Sequence, residues 1–261
     1  MRARRTSLTV PASSLRMLEK AAMLPADEIV VDLEDGVAAA EKERARENLA
    51  AARARGTLAV RVNAVGSPWF EADLEAVAAV KPDVVVLPKA ELASLDAVAG
   101  LPLEVQIETT RALVEVEQIA ARGAEALVFG PGDFAASLGV PVLTIGRGAS
   151  EYALARIAVA ARAYGAQPID GPYAVLDDDE GLRASAERAL ALGYDGKWCI
   201  HPRQLEIVND VFTPSAEELE RAHRIVAAAD GASAVDGEMV DAAAKRLAEA
   251  VIARAAPPSA P

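Results

Sequence analysis

Short apolar runs, each followed by a stretch with apolar positions at helical spacing, recur roughly every 25 residues along the chain. The runs are Ser7–Val10, Glu28–Leu33, Leu58–Val62, Val84–Pro88, Leu103–Ile107, Ala126–Phe129, Ala166–Ile169 and Gly196–Ile200. Between them lie Ala-rich amphipathic segments, among them Ala39–Arg55, Phe70–Val80, Thr110–Arg122, Ser150–Tyr164 and Glu180–Leu192. Segments of that length can cross over a parallel strand, so the pattern predicts eight βα units closed into a (β/α)8 barrel, an α/β fold of the TIM-barrel kind. An open doubly wound sheet would also use eight strands, but no dinucleotide fingerprint opens the first βα turn. Two more helical stretches, Ser215–Ala229 and Val240–Ala253, follow the eighth strand. The expected division is therefore a barrel over 1–212, a helical extension or lid over 213–254 that packs outside it on a neighbouring subunit, and an unstructured tail over 255–261.

Composition narrows this picture. The 261 residues fit one large barrel domain, and 52% hydrophobic residues with only 4% aromatic require a core of Ala, Val, Leu and Ile, as buried parallel strands use. A formal net charge of −12 opposes contact with a phosphate backbone, so no nucleic-acid partner is expected. Cys199 is the single cysteine, which rules out an internal disulfide. Arg2, Arg4 and Arg5 are followed by no long apolar run, so neither a signal peptide nor a membrane span is expected, and the location is expected to be cytoplasmic.

In a parallel barrel, chemistry sits where strands end and βα loops begin. Those positions are charged here: Asp32, Glu34 and Asp35 after the second run, Arg61 and Asn63 at the third, Lys89 after the fourth, and Glu108 after the fifth. Gly130-Pro131-Gly132-Asp133 follows the sixth, Asp170 the seventh and His201 the eighth. A single acid before a helix is as well explained by capping or a surface ion pair. So many ionisable groups at one mouth would be costly without a bound cation or charged ligand to offset them. Glu108 and Asp133 end adjacent strands and can converge on one hard cation, Mg2+ or Mn2+, leaving coordination positions for water and substrate. With two histidines and one cysteine, a structural zinc cluster is out of reach. Arg61 offers a bidentate donor to a carboxylate or developing enolate oxygen, and pairing with Asp32 or Glu34 would orient it. Gly130, Pro131 and Gly132 present bare backbone to a substrate carboxylate, while Glu34, Asp35 and Lys89 complete the expected binding set. No G-x-S-x-G elbow is present, and Cys199 and His201 are too close in sequence to pair, so nucleophilic hydrolysis is disfavoured.

The blocks Val31-Asp32-Leu33-Glu34-Asp35-Gly36-Val37, Arg61-Val62-Asn63, Leu87-Pro88-Lys89, Ile107-Glu108-Thr109, Gly130 to Asp133, Gly196 to Pro202 and Gly237-Glu238-Met239-Val240-Asp241 occur in this order. Together they resemble the citrate lyase beta-subunit-like proteins of the HpcH/HpaI aldolase superfamily, which include malyl-CoA and citramalyl-CoA lyases. The resemblance runs nearly end to end and implies a trimeric or hexameric barrel enzyme with Mg2+ on Glu108 and Asp133. It implies that Arg61 contacts the keto or hydroxy acid, and that Asp241 reaches a neighbouring subunit's site as acid or base. From the residues alone, Asp241 reads first as the N-cap of the last helix. Two blocks depart from the family: Gly130-Pro131-Gly132-Asp133 stands where many members read G-A-E-D, and Pro11-Ala12-Ser13-Ser14 lacks the arginine of the common P-G-N-R, with Arg16 and Lys20 nearby. The implied activity is carbon–carbon cleavage or condensation of a small carboxylated 3-hydroxyacyl-CoA. Alternatives are a metal-dependent aldolase releasing pyruvate from free hydroxy-keto acids, a malyl-CoA thioesterase, and a noncatalytic subunit of a lyase complex.

Overall fold

A computed structural model describes residues 4–140, 150–228 and 233–255. Eight parallel strands, β1 (Thr6–Pro11), β2 (Glu28–Asp32), β3 (Thr57–Arg61), β4 (Val84–Leu87), β5 (Leu103–Ile107), β6 (Ala126–Phe129), β7 (Gln167–Asp170) and β8 (Gly196–Cys199), pair in sequence order, and β8 returns to β1. The barrel closes as the hydrophobic period predicts. Alternation along each strand sorts the side chains. Ile29, Val31, Val60, Val105 and Ile107 join the large cluster under the helices, whereas Val30, Ala59, Val86, Val128, Ile169 and Trp198 form a second cluster that fills the barrel.

Two polar layers bound that inner cluster. At the floor Arg4 is buried, with Nε 3.2 Å from Glu28 Oε1 and 3.0 Å from Glu104 Oε1. Its Nη1 donates to Gln167 Oε1 at 2.8 Å and its Nη2 to Glu125 Oε2 at 2.7 Å. Burial, and then the neighbouring Glu28, raise the Glu104 carboxyl well above its usual range despite Arg4. Removing the guanidinium would leave buried acids without a counter-charge. Arg4→Met is therefore expected to cost about 3–5 kcal/mol of stability at pH 8. The deficit should narrow towards pH 4, where Glu104 is neutral whether folded or unfolded. Urea unfolding at the two pH values checks this, and a loss below about 1 kcal/mol at pH 8 would show that the Arg4 cluster at the floor is not structural.

Several helices differ from expectation in their ends. The segment expected over Ala39–Arg55 is α-helical over Lys42–Asn48, with a single tight turn on either side, Ala39–Glu41 and Leu49–Ala51. The expected Thr110–Arg122 helix is two short ones, Thr110–Val114 and Val116–Ala120, parted at Glu115, whose Oε2 accepts the Leu92 N–H at 3.0 Å. After the helix Gln204–Phe212, which packs on β8 and β1, the chain forms a helix over Ala216–Ala228 and another over Ala242–Arg254 that lie against each other. Val240 does not begin the last helix. It ends an antiparallel hairpin, β9 (Ser233–Val235) and β10 (Glu238–Val240), turned at Asp236-Gly237 with φ of +53° and +83°. The expected tail beyond Ala255 lies outside the described residues. No described helix is long and apolar enough to cross a membrane.

Candidate active site

The second polar layer is at the opposite mouth, where strands end. Asp32, the last residue of β2, lies beside Arg61, the last of β3, in the parallel register. Arg61 Nε donates to Asp32 Oδ1 at 2.8 Å and Nη2 to Oδ2 at 2.7 Å, a two-pronged clamp. The remaining lone pairs of Asp32 accept the N–H groups of Glu34 and Gly36, both at 2.8 Å. A Cβ on Gly36 would come within 2.5 Å of Asp32 Oδ2, so that loop must carry glycine to close over the carboxylate. Burial alone would raise the Asp32 carboxyl, but the charge and hydrogen bond of Arg61 and the two amides hold it below the usual range. Arg61 is thereby fixed, its Nη1 3.1 Å from Glu34 Oε2 and its guanidinium carbon 5.4 Å from the Trp198 ring centroid.

Lys42 secures the loop after β2 from below. Its buried ammonium donates to the carbonyls of Leu33 and Glu34 and to Asn63 Oδ1 at 2.6, 2.7 and 2.7 Å. Asn63 in turn donates its backbone and side-chain N–H groups to buried Asp73. These residues add rigidity behind the mouth, and sequence reasoning did not single out Lys42 or Asp73.

Glu108 follows β5 and is 2% exposed. Its Oε1 accepts the backbone N–H of Lys89 at 2.6 Å, and a Cβ on Gly130 would fall 2.2 Å from its Oε2. Glycine at 130 is what leaves room for this carboxyl. Burial pushes Glu108 up to about 7, restrained by the Lys89 amide and Arg61 and reinforced by Glu34 and Asp133. Asp133 does not end a strand as such. It occupies the first turn of the helix Pro131–Leu138, half-exposed, and its Oδ2 is 3.9 Å from Lys89 Nζ. Pro131 carries no N–H, and the amides of Gly132 and Asp133 belong to the helix start, where no intrahelical acceptor exists. They are free to meet an anionic group. Lys89 Nζ pairs with Glu34 and lies 3.1 Å from Asp35 Oδ2. Beside it a cavity of about 280 Å³ is lined by Glu34, Asp35, Lys42, Asn63, Trp69 and Lys89. A hollow of about 500 Å³ lies at the floor end near Arg4 and Glu125, so size does not mark the chemistry.

The mouth thus gathers Arg61, Glu34, Asp35, Lys89, Glu108, Gly130, Pro131, Gly132 and Asp133. Asp241 stands apart on the extension, exposed, its Oδ1 accepting the N–H groups of Ala243 and Ala244 at 2.8 and 3.0 Å as the N-cap of the last helix. Those amides, Ala244 first, hold its carboxyl below the usual range. Cys199 is buried, and burial pushes its thiol up to about 12, which agrees with the absence of a thiol nucleophile.

The donor set suits a hard divalent cation. Among the described residues of the mouth the carboxyls of Asp32, Glu34, Asp35, Glu108 and Asp133 outnumber the cations Arg61, Lys89 and Lys42, and the acidic neighbours of Glu108 raise it in a way that a bound cation would relieve. Among the described residues no three His, Cys, Asp or Glu side chains are placed to hold a metal by themselves. Two carboxylates would leave the remaining positions of a hard cation to water and substrate.

Residues 5–202 match the family model described as HpcH/HpaI aldolase/citrate lyase, and residues 158–257 a model described as a carbon–carbon bond lyase of the TIM-barrel fold. The chain is 40% identical to a (3S)-malyl-CoA thioesterase of Cereibacter sphaeroides, covering 91% of this chain and 89% of that one. It is 35% identical to an L-malyl-CoA/beta-methylmalyl-CoA lyase of the same species, with 97% and 95% covered. Its structure resembles that of the CitE protein of Mycobacterium tuberculosis in complex with magnesium, acetoacetate and coenzyme A. That match has a TM-score of 0.87 at 34% identity over 97% of this chain and 98% of that one.

Proposed function

The chain belongs to the HpcH/HpaI aldolase/citrate lyase family of carbon–carbon lyases, and from that premise we propose that it cleaves, or in reverse condenses, a small carboxylated 3-hydroxyacyl-CoA such as malyl-CoA or citramalyl-CoA. The observation that carries this reading is the buried Glu108 carboxyl beside Asp133 and the clamped Arg61 at the strand-end mouth. Glu108 and Asp133 would hold Mg2+, with Mn2+ as a substitute. The magnesium, acetoacetate and coenzyme A bound by the related CitE protein support a divalent metal, a short keto acid and a CoA thioester as ligands here.

When bound, the cation would supply Lewis-acid polarisation of the acid's oxygens. The chain's own groups do the rest. Arg61, unable to rotate while Asp32 grips both prongs, meets the negative charge of the acid and of the enolate that forms as the bond between the hydroxyl-bearing carbon and the thioester α-carbon breaks. The amides of Gly132 and Asp133 receive the substrate carboxylate, and Glu34, Asp35 and Lys89 line the approach. In a trimer or hexamer, Asp241 of the extension reaches a neighbouring subunit's mouth, where its carboxylate takes the substrate hydroxyl proton as the carbon–carbon bond breaks and returns it to the enolate carbon, or runs the two transfers backwards in the condensation direction. Asp241→Asn keeps a good helix cap, so folding and Mn2+ affinity should be preserved while turnover falls at least about 100-fold. Undiminished turnover would reject that role.

A second reading, hydrolysis of the thioester, is favoured by the 40% identity to the thioesterase. Incubating purified protein and Mg2+ with malyl-CoA separates the two: the lyase yields glyoxylate and acetyl-CoA, the thioesterase malate and free CoA. Citramalyl-CoA and free hydroxy-keto acids as further substrates identify the acyl group, and release of pyruvate from the free acids alone would replace the CoA-ester reading by the aldolase one.

A further inference from the structure

Lys89 touches both acids of the candidate metal pair by different means. Its backbone is left-handed at φ +47°, a conformation that side chains other than glycine, asparagine and aspartate seldom adopt. That turn directs its N–H onto Glu108 Oε1 at 2.6 Å, while its side chain crosses the mouth to Glu34 and Asp35 and approaches Asp133 Oδ2 to 3.9 Å. Among the described residues the ammonium is the cation nearest Asp133, in a mouth crowded with carboxylates.

We propose that Lys89 is the site's resident counter-ion, holding the carboxylates of the metal-free mouth together and giving way to a divalent cation, so that it sets the metal affinity. The inference rests on the reading of Glu108 and Asp133 as the metal pair. An ammonium and a doubly charged ion that meet the same half-exposed Asp133 carboxylate repel each other, the more so at low ionic strength. The flexible lysine stem allows the ammonium to retreat from Asp133 onto Glu34 and Asp35, which already hold it. The backbone bond to Glu108 is unaffected by that retreat. Lys89 thus acts on the metal by position and charge, with two separable handles.

Calorimetric titration of the full chain with Mn2+ at low ionic strength tests this. Lys89→Gln removes the charge and should tighten Mn2+ binding about five- to tenfold, with the gain shrinking as salt is added. Lys89→Arg keeps a positive charge and should show no gain. Lys89→Gly also deletes the ammonium but suits the left-handed backbone, so it reports on affinity even if the glutamine variant fails to fold. Neutral variants that bind Mn2+ no more tightly than the parent would overturn the proposal. Glu108→Gln separates the two levels: undiminished Mn2+ binding there would refute the metal pair itself. Loss of binding there, with unchanged affinity in the Lys89 variants, would refute only the counter-ion role.

Discussion

Arg61→Met is expected to lower kcat/KM for the CoA-thioester substrate about a thousandfold, because in the proposed reaction it removes the clamped fork that would meet charge developing on the acid and enolate oxygens. The size of the effect follows from preorganisation. Asp32 receives two prongs of the guanidinium and two backbone amides, so Arg61 arrives at the reaction already oriented and without water to reorganise. The loss should appear in kcat as well as KM, since the enolate charge exists only beyond the ground state. Arg61→Lys is the sharper comparison. It keeps the positive charge but not the fork, and should recover no more than about a tenth of the lost rate. Asp32→Asn, which leaves the shape but loosens the clamp, should cost about tenfold to a hundredfold. Steady-state kinetics on the three variants, with circular dichroism to confirm the fold, decide the matter. An Arg61→Met enzyme within tenfold of the parent would remove Arg61 from the chemistry.

The barrel was legible because strands buried on both faces announce themselves as apolar runs, and their spacing leaves room for a crossover but not for a hairpin. The mouth drew attention for a related reason: any one charge at the carboxyl end of such a run can be a helix cap or a surface ion pair, but so many together are costly without a charged ligand. Pairing of Arg61 with Asp32 or Glu34 was expected without a choice between them, and Arg61 meets both, gripping Asp32 with two nitrogens and reaching Glu34 with the third. What escaped notice were polar groups whose partners are distant in sequence. Lys42 sits on an amphipathic segment where a lysine reads as solvent-facing, and only the tertiary return of Leu33, Glu34 and Asn63 gives its ammonium three acceptors. Arg4 reads as one of three arginines near the start of the sequence with no structural role assigned, yet Glu28, Glu104, Glu125 and Gln167 meet it from four separate strand beginnings. The hairpin before Asp241 carried a local signal, Val235-Asp236-Gly237-Glu238, with the Asp-Gly pair that tight two-residue turns prefer. Its strands are three residues each, too short to show alternation.

Glu108→Gln should move stability and activity in opposite directions. In the metal-stripped protein the folded carboxyl titrates at about 7 against an ordinary value of 4.5. Below pH 4.5 it is neutral in both states and folding carries no penalty. As pH rises from 4.5 to 7 the unfolded chain releases the proton that the folded chain retains, so stability falls, and above 7 the full penalty remains. A shift of that size corresponds to about 3 kcal/mol. Glutamine, neutral throughout and still able to accept the Lys89 N–H, should recover much of this at pH 8 and almost none at pH 4. The same substitution should abolish Mn2+ binding and lower kcat/KM at least about a thousandfold, as an acid kept at a stability cost for its function would. Metal uptake by the parent should also release protons at neutral pH, in buffers of differing ionisation enthalpy, and weaken as pH falls below 7. Urea unfolding in chelator at pH 4 and pH 8, beside Mn2+ calorimetry on the same two proteins, measures both arms. If the variant is no more stable at pH 8 and still binds Mn2+, then Glu108 is a satisfied buried acid, and the cation must be sought elsewhere around the mouth.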